Sequence, residues 1–140
     1  MSSIHVPASI QEMIDATKVE YVKLGSSGLH VSVPILGAMT LGSSKWIPYV
    51  LDEAESLEIL KAAYDRGVNT WDTADMYSNG ISEELIGKAI RKFNIPRDTV
   101  VIMTKSCFPV AKDPSVHAAM FSPQASKTKD FINQGGEFLS

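Results

Sequence analysis

Residues 68–90 read VNTWDTADMYSNGISEELIGKAI, and they run from a strand into a helix within one short stretch. The apolar run from Val68 stops at Asp72, and Tyr77 follows in a polar loop. A helix signal then starts at Ser82. Glu83 and Glu84 fall in its first turn, where the helix dipole favours anions. Ile81 and Ile86 have the spacing of a hydrophobic staple. Leu85, Ile86, Ala89, Ile90 and Phe93 recur at helical spacing, and Arg91 and Lys92 close the helix. Pro96 cannot continue it.

The flanking sequence repeats the same strand and helix alternation. Upstream, LDEAESLEILKAAYDRG has Asp52 as a plausible N-cap, with Glu55 at the third helical position. Ala54, Leu57, Leu60, Ala63 and Tyr64 make its apolar face, and Gly67 suits a left-handed cap. Earlier still, PILGAMTLG reads as an apolar strand ending in small residues. Before it, YVKLGSSGLHVSV has two alternating arms around Gly25–Gly28, which reads as a β-hairpin. Ser9 and Glu12 fit a capping box for a short helix carrying Ile10, Met13 and Ile14. Downstream, TVVIMTK is a β-branched run without alternation, as expected of a strand covered on both faces. The resulting order is hairpin, β, α, β, α, β, which argues for a parallel α/β sheet. From residue 107 to 140 no periodicity is evident, and an irregular tail is expected.

Bulk properties exclude several function classes. The 140 residues suit one domain, and a formal net charge of −3 gives no electrostatic case for nucleic acid or an anionic membrane surface. Cys107 is the single cysteine, so no intrachain disulfide forms, which fits a reducing, cytoplasmic setting. Neither a basic-then-apolar leader nor an apolar run of about 20 residues is present, so no signal peptide or membrane span is expected. No His/Cys/Asp cluster has metal-ligand spacing.

Strands in a parallel sheet point one way, so their C-terminal ends share a rim where ligands bind. Asp72 ends one strand and Lys105 the next. The intervening helix is the crossover that sets such strands side by side, roughly 4.8 Å apart. Tyr77 sits above the same rim. A free phenol has a pKa of about 10 and is a poor acid at neutral pH. A lysine ammonium beside it stabilises the phenolate, and an aspartate keeps that lysine charged and oriented. A tyrosine placed so can protonate a carbonyl oxygen as hydride arrives at the carbon from a nicotinamide cofactor. Singly, an Asp at a strand end often just caps a loop, and a loop Tyr often packs as a lid. All three facing one mouth favours the chemical reading.

These motifs carry a family resemblance. NTWDTADMYSNGISEELIGKAI resembles the aldo/keto reductase signature, in which a strand ends in D-T-A-x-x-Y followed by N-G-x-S-E. TVVIMTKS resembles that family's next strand, with its lysine. YVKLGSSGLHVSVPILGAMTLG resembles its N-terminal hairpin and first barrel strand. The likeness spans about residues 21–106. It is closest to the branch that includes potassium-channel β subunits and versiconal hemiacetal acetate reductase-like enzymes.

The resemblance implies a (β/α)8 TIM barrel that reduces aldehydes or ketones with NADPH. On that basis Tyr77 is the proton donor, with Lys105 and Asp72 tuning it. Gly37, Met39, Thr40 and Asp72 would border the nicotinamide ribose. Trp46 would either line the substrate pocket or serve as plain packing. A small carbonyl compound is the expected substrate.

Three organisational segments are expected: an extension with a short helix over 1–20, the barrel part over 21–106, and the tail over 107–140. A barrel of this kind usually needs about 250 residues, and this chain supplies the hairpin plus about three βα units. It therefore reads as a partial barrel, the N-terminal part, truncated and weakly active or inactive. The family's further histidine, which ends its fourth strand, has no counterpart in His5, His30 or His117. The late strands that hold most of the cofactor are also missing, and FINQGGEFLS resembles the approach to a third helix.

Two other readings bear on function. A doubly wound dinucleotide domain lacks its G-x-G-x-x-G, and a phosphate-binding loop would need a lysine where Ser43 stands. A non-catalytic protein that pairs with a full-length barrel relative through an open sheet edge is the alternative of a different class. Cys107, near the mouth, is read as a small packed hydrophobe.

Overall fold

A computed structural model of the chain describes residues 19–113 and 115–116. The elements are β1 (Glu20–Lys23), β2 (His30–Val33), β3 (Leu36–Gly37), α1 (Glu53–Asp65), β4 (Thr70–Asp72), a 3-10 turn (Tyr77–Gly80), α2 (Ile81–Lys92), a second 3-10 turn (Arg97–Thr99) and β5 (Val101–Met103). The expected helix near Ile10, and the expectations for His5, His117 and FINQGGEFLS, lie outside the described residues.

β1 and β2 form the antiparallel hairpin, with Tyr21 opposite Ser32 and Val22 opposite Val31. β3, β4 and β5 form a parallel sheet in that order. Its register aligns Leu36, Trp71 and Ile102 in one row and Gly37, Asp72 and Met103 in the next. Successive residues of a strand face opposite sides, so these rows point opposite ways. The first row faces the helices: Trp71 is fully buried, in a core with Leu57 and Leu60 of α1 and Ile86 and Ala89 of α2. Leu36 and Ile102 pack against that core. The second row carries Asp72 to the other face.

The hairpin plugs the N-terminal end of this sheet. The Ser32 amide donates to Thr70 Oγ1 at 2.9 Å, and the Thr70 amide donates back to Ser32 Oγ at 3.1 Å, both buried. Tyr21 Oη donates to the Gly67 carbonyl at 2.7 Å. Gly67 has φ +85°, the left-handed backbone expected after α1. The rim with Asp72 is at the opposite end.

Several local expectations are corrected. α2 begins at Ile81, not Ser82, because Gly80 at φ 95° takes the cap position. Ile81 is then the first helical residue, so the staple geometry with Ile86 is not made. The Ser82 hydroxyl turns inward instead and donates to the Ala38 carbonyl at 2.9 Å, fastening the helix to the sheet. Asp52 does precede α1 in extended backbone, but its side chain makes no cap bond. Its carboxylate accepts from the Ser44 amide at 2.9 Å and the Ser44 hydroxyl at 2.8 Å, closing the loop after β3. These bonds hold the Asp52 carboxyl below the usual range. The strands are shorter than the apolar runs that contain them. β5 is partly buried rather than fully covered on both faces, and it is the last strand of the sheet among the described residues. Cys107 is exposed, not packed.

Candidate active site

Asp72 and Lys105 meet as the parallel geometry requires. Asp72 is the last residue of β4 and pairs with Met103, the last of β5. Two residues further on, Lys105 turns its side chain back over the rim. Its ammonium donates to Asp72 Oδ1 at 2.6 Å, to Asp72 Oδ2 at 2.9 Å and to the Thr73 carbonyl at 2.7 Å. The Asp75 amide donates to the Lys105 carbonyl at 3.0 Å, which ties the loop after β5 to the loop after β4. The Lys105 side chain is 49% exposed and that of Asp72 33%, so the pair is open to solvent.

Tyr77 lies beside this pair. Lys105 Nζ stands 5.0 Å from its ring centroid, within cation–π range. Partial removal from water disfavours the Lys105 charge. Hydrogen bonds to Asp72 and Tyr77, with the Asp72 charge, outweigh that loss, and the lysine is held above its ordinary value.

Tyr77 opens a turn in which Ser78 (φ 50°), Asn79 (φ 53°) and Gly80 (φ 95°) are successively left-handed. Ser78 is fully buried, and its Oγ accepts from the Ser43 amide at 3.1 Å. That bond fixes the loop after β3 against the phenol. Gly42 allows the approach: a Cβ there would stand 2.1 Å from Ser78 Oγ. The same loop carries Trp46, which is buried and meets the Tyr77 ring with centroids 6.5 Å apart and planes at 45°. Trp46 therefore packs on the phenol, which is compatible with either sequence-based role.

The residues expected around a cofactor line the neighbouring stretch of rim. Gly37 pairs with Asp72 across the ladder, and no heavy atom lies within 4 Å of where its Cβ would be. Met39 is 40% exposed, and Thr40 is exposed. The Ala38 amide donates to the Asp72 carbonyl at 2.8 Å, holding this shelf level with the carboxylate. An open shelf with a bare glycine beside a carboxylate fits a flat ring and its ribose.

Sequence reading missed the Thr73 carbonyl as the third Lys105 acceptor, and missed Ser78 and Asn79. Only the dipeptide's turn-like composition could have flagged the last two. His30, the sole histidine among the described residues, lies on β2 at the far end of the sheet. No group of three or more His, Cys, Asp or Glu able to hold a metal is found among the described residues. None of the helices described is long and apolar enough to cross a membrane.

Comparison with known proteins gives a consistent result. The aldo/keto reductase family pattern matches residues 35–134. An aldo-keto reductase of Fusarium vanettenii is 50% identical over 138 residues, covering 95% of this chain and 37% of the relative. The versiconal hemiacetal acetate reductase of Aspergillus parasiticus is 49% identical over 118 residues, covering 84% of this chain and 34% of the relative. Among solved structures, the holo form of a Bacillus halodurans aldo-keto reductase superposes with a TM-score of 0.56 at 31% identity, covering 67% of this chain and 28% of that one. The chain thus spans about 37% of the length of the first curated relatives it matches. The likeness also reaches well past residue 106, further than the motifs alone indicated.

Proposed function

This chain belongs to the aldo/keto reductase family, and we propose that its rim reduces a small aldehyde or ketone to an alcohol with NADPH. The observation that carries the reading is the Lys105 ammonium, held by both oxygens of Asp72 and lying 5.0 Å from the Tyr77 ring. Tyr77 donates its hydroxyl proton to the carbonyl oxygen. Lys105 stabilises the phenolate left behind, and Asp72 keeps Lys105 charged and aimed. Gly37, Met39, Thr40 and Asp72 would border the nicotinamide and its ribose, and Trp46 would wall the substrate side. The cofactor, when bound, supplies the hydride.

Turnover by these 140 residues alone is expected to be weak, because by the resemblance the family's further histidine has no counterpart in His5, His30 or His117. The relatives' names support a carbonyl substrate without choosing one. The single cysteine supports a cytoplasmic setting.

The test is NADPH oxidation by the purified chain with nitrobenzaldehyde. Tyr77→Phe is expected to lower the rate by roughly 10²–10⁴ while leaving the melting curve unchanged. Equal rates for the unmodified chain, Tyr77→Phe and Lys105→Met would sink the proposal.

A second reading is pairing with a barrel relative through an open strand. It is favoured by β5, which is only partly buried and has no strand on its outer side among the described residues. Cofactor fluorescence quenching would support the enzyme. Co-elution with a full-length relative, without quenching, would support pairing.

A further inference from the structure

Asn79 follows the candidate proton donor by two residues and has no part in the chemistry proposed above. Its side chain is nonetheless fully engaged. Asn79 Nδ2 donates to the Asp113 carbonyl at 2.9 Å and to the Val116 carbonyl at 2.8 Å. Asn79 Oδ1 accepts from the Ala111 amide at 3.2 Å. The opposite orientation of the carboxamide would set its oxygen against two carbonyls and its NH2 against an N–H, so these contacts fix the assignment.

The backbone explains why asparagine stands here. At φ 53° most side chains are disfavoured, and Asn is among the few residues that visit this region routinely. Glycine fits the conformation but offers no carboxamide. Aspartate fits it but offers no N–H. Asn supplies two donors and an acceptor at a left-handed position.

The turn thereby grips a segment on each side. Ser78 holds the loop of Ser43 and Trp46, and Asn79 holds Ala111, Asp113 and Val116. Lys45 of the first segment lies close enough for its charge to help lower the Asp113 carboxyl of the second, after the hydrogen bonds from Ser115. We propose that Asn79 is a positioning residue, whose carboxamide fixes the backbone at Ala111, Asp113 and Val116 as a second wall of the Tyr77 site, beside the loop that carries Trp46. The purpose of that wall rests on the carbonyl-reduction reading. The pinning itself does not.

The test uses Asn79→Gly, which keeps the backbone conformation and deletes the carboxamide, and Asn79→Asp, which keeps size and acceptor but removes both donors. Trypsin cleavage after Lys112, within the pinned stretch, is followed by mass spectrometry, with cleavage after Lys92 in α2 as the internal reference. Both variants are expected to be cut after Lys112 about tenfold faster or more, as befits loss of two or three hydrogen bonds, with cleavage after Lys92 unchanged. KM for nitrobenzaldehyde is expected to rise about tenfold, while kcat and its pH profile stay within about twofold, because Tyr77 and Lys105 are untouched. Unchanged Lys112 cleavage in both variants overturns the proposal. So does equal acceleration after Lys92, or an unaltered KM in variants that are cut faster. An unmodified chain that reduces no carbonyl compound defeats the carbonyl reading, and the protease comparison then decides the pinning by itself.

Discussion

The Lys105 ammonium has three hydrogens and meets three oxygens, two from Asp72 and one from Thr73. Its affinity for a proton is therefore higher folded than unfolded, in spite of some desolvation. The sign of the linkage follows. A raised folded value means that the stabilisation is fully present below the ordinary lysine value of 10.5 and is lost as pH rises through the folded value. Thermal melts of the unmodified chain should thus fall more steeply than those of Lys105→Met across the alkaline range. Parallel alkaline profiles would show that the pair adds nothing to stability. The side chain is half-exposed, so solvent screening keeps the effect small. This pair was legible because Asp72 and Lys105 each close an apolar run, and parallel strands share a direction. The Thr73 carbonyl was not legible, because a main-chain acceptor leaves no mark on composition.

The turn between β4 and α2 is the element that sets the site, and its tightest contact is Gly42 against Ser78. A methyl group at Gly42 would overlap Ser78 Oγ at 2.1 Å and Ser78 Cβ at 2.6 Å. Gly42→Ala should therefore destabilise the chain by about 1–3 kcal/mol, the usual cost of overpacking. Ser78→Gly tolerates φ 50° and removes both clashing atoms, so the double variant should recover part of that loss in denaturant melts. An additive double variant would refute the contact. Both helices were legible from their 3.6-residue periodicity, and most of their buried faces are the ones expected: Leu57 and Leu60 in α1, Leu85, Ile86 and Ala89 in α2. Ala54, expected on the α1 face, is exposed, and Ser56 is buried in its stead, its hydroxyl donating to the Leu51 carbonyl. Strand position was legible but strand length was not, because the apolar runs extend beyond the paired residues. The start of α2 was misread by one residue. A serine followed by two glutamates is a strong cap signal, yet the conformation of Gly80 decided the boundary. The grip of Asn79 on Ala111, 32 residues away, belongs to tertiary structure and has no local signature.

At the scale of the molecule, apolar surface remains open at the hairpin end. Tyr21, Val22, Leu24, Leu29, Val33 and Ile35 are each more than two-fifths exposed, more than an isolated small domain usually leaves together. The outer edges of β3 and β5 are unpaired with any other strand among the described residues. Sedimentation velocity over a dilution series should therefore show a coefficient that rises with concentration, and Val22→Lys with Leu29→Lys should flatten that rise. A constant coefficient in the unmodified chain would refute self-association. The carboxylate of Asp72 and the ammonium of Lys105 are 33 residues apart, and one helix and two neighbouring strands suffice to bring them together. The proposed pair therefore belongs to a single β4–α2–β5 unit, and its register is set by one crossover between adjacent strands rather than by elements distant in the chain.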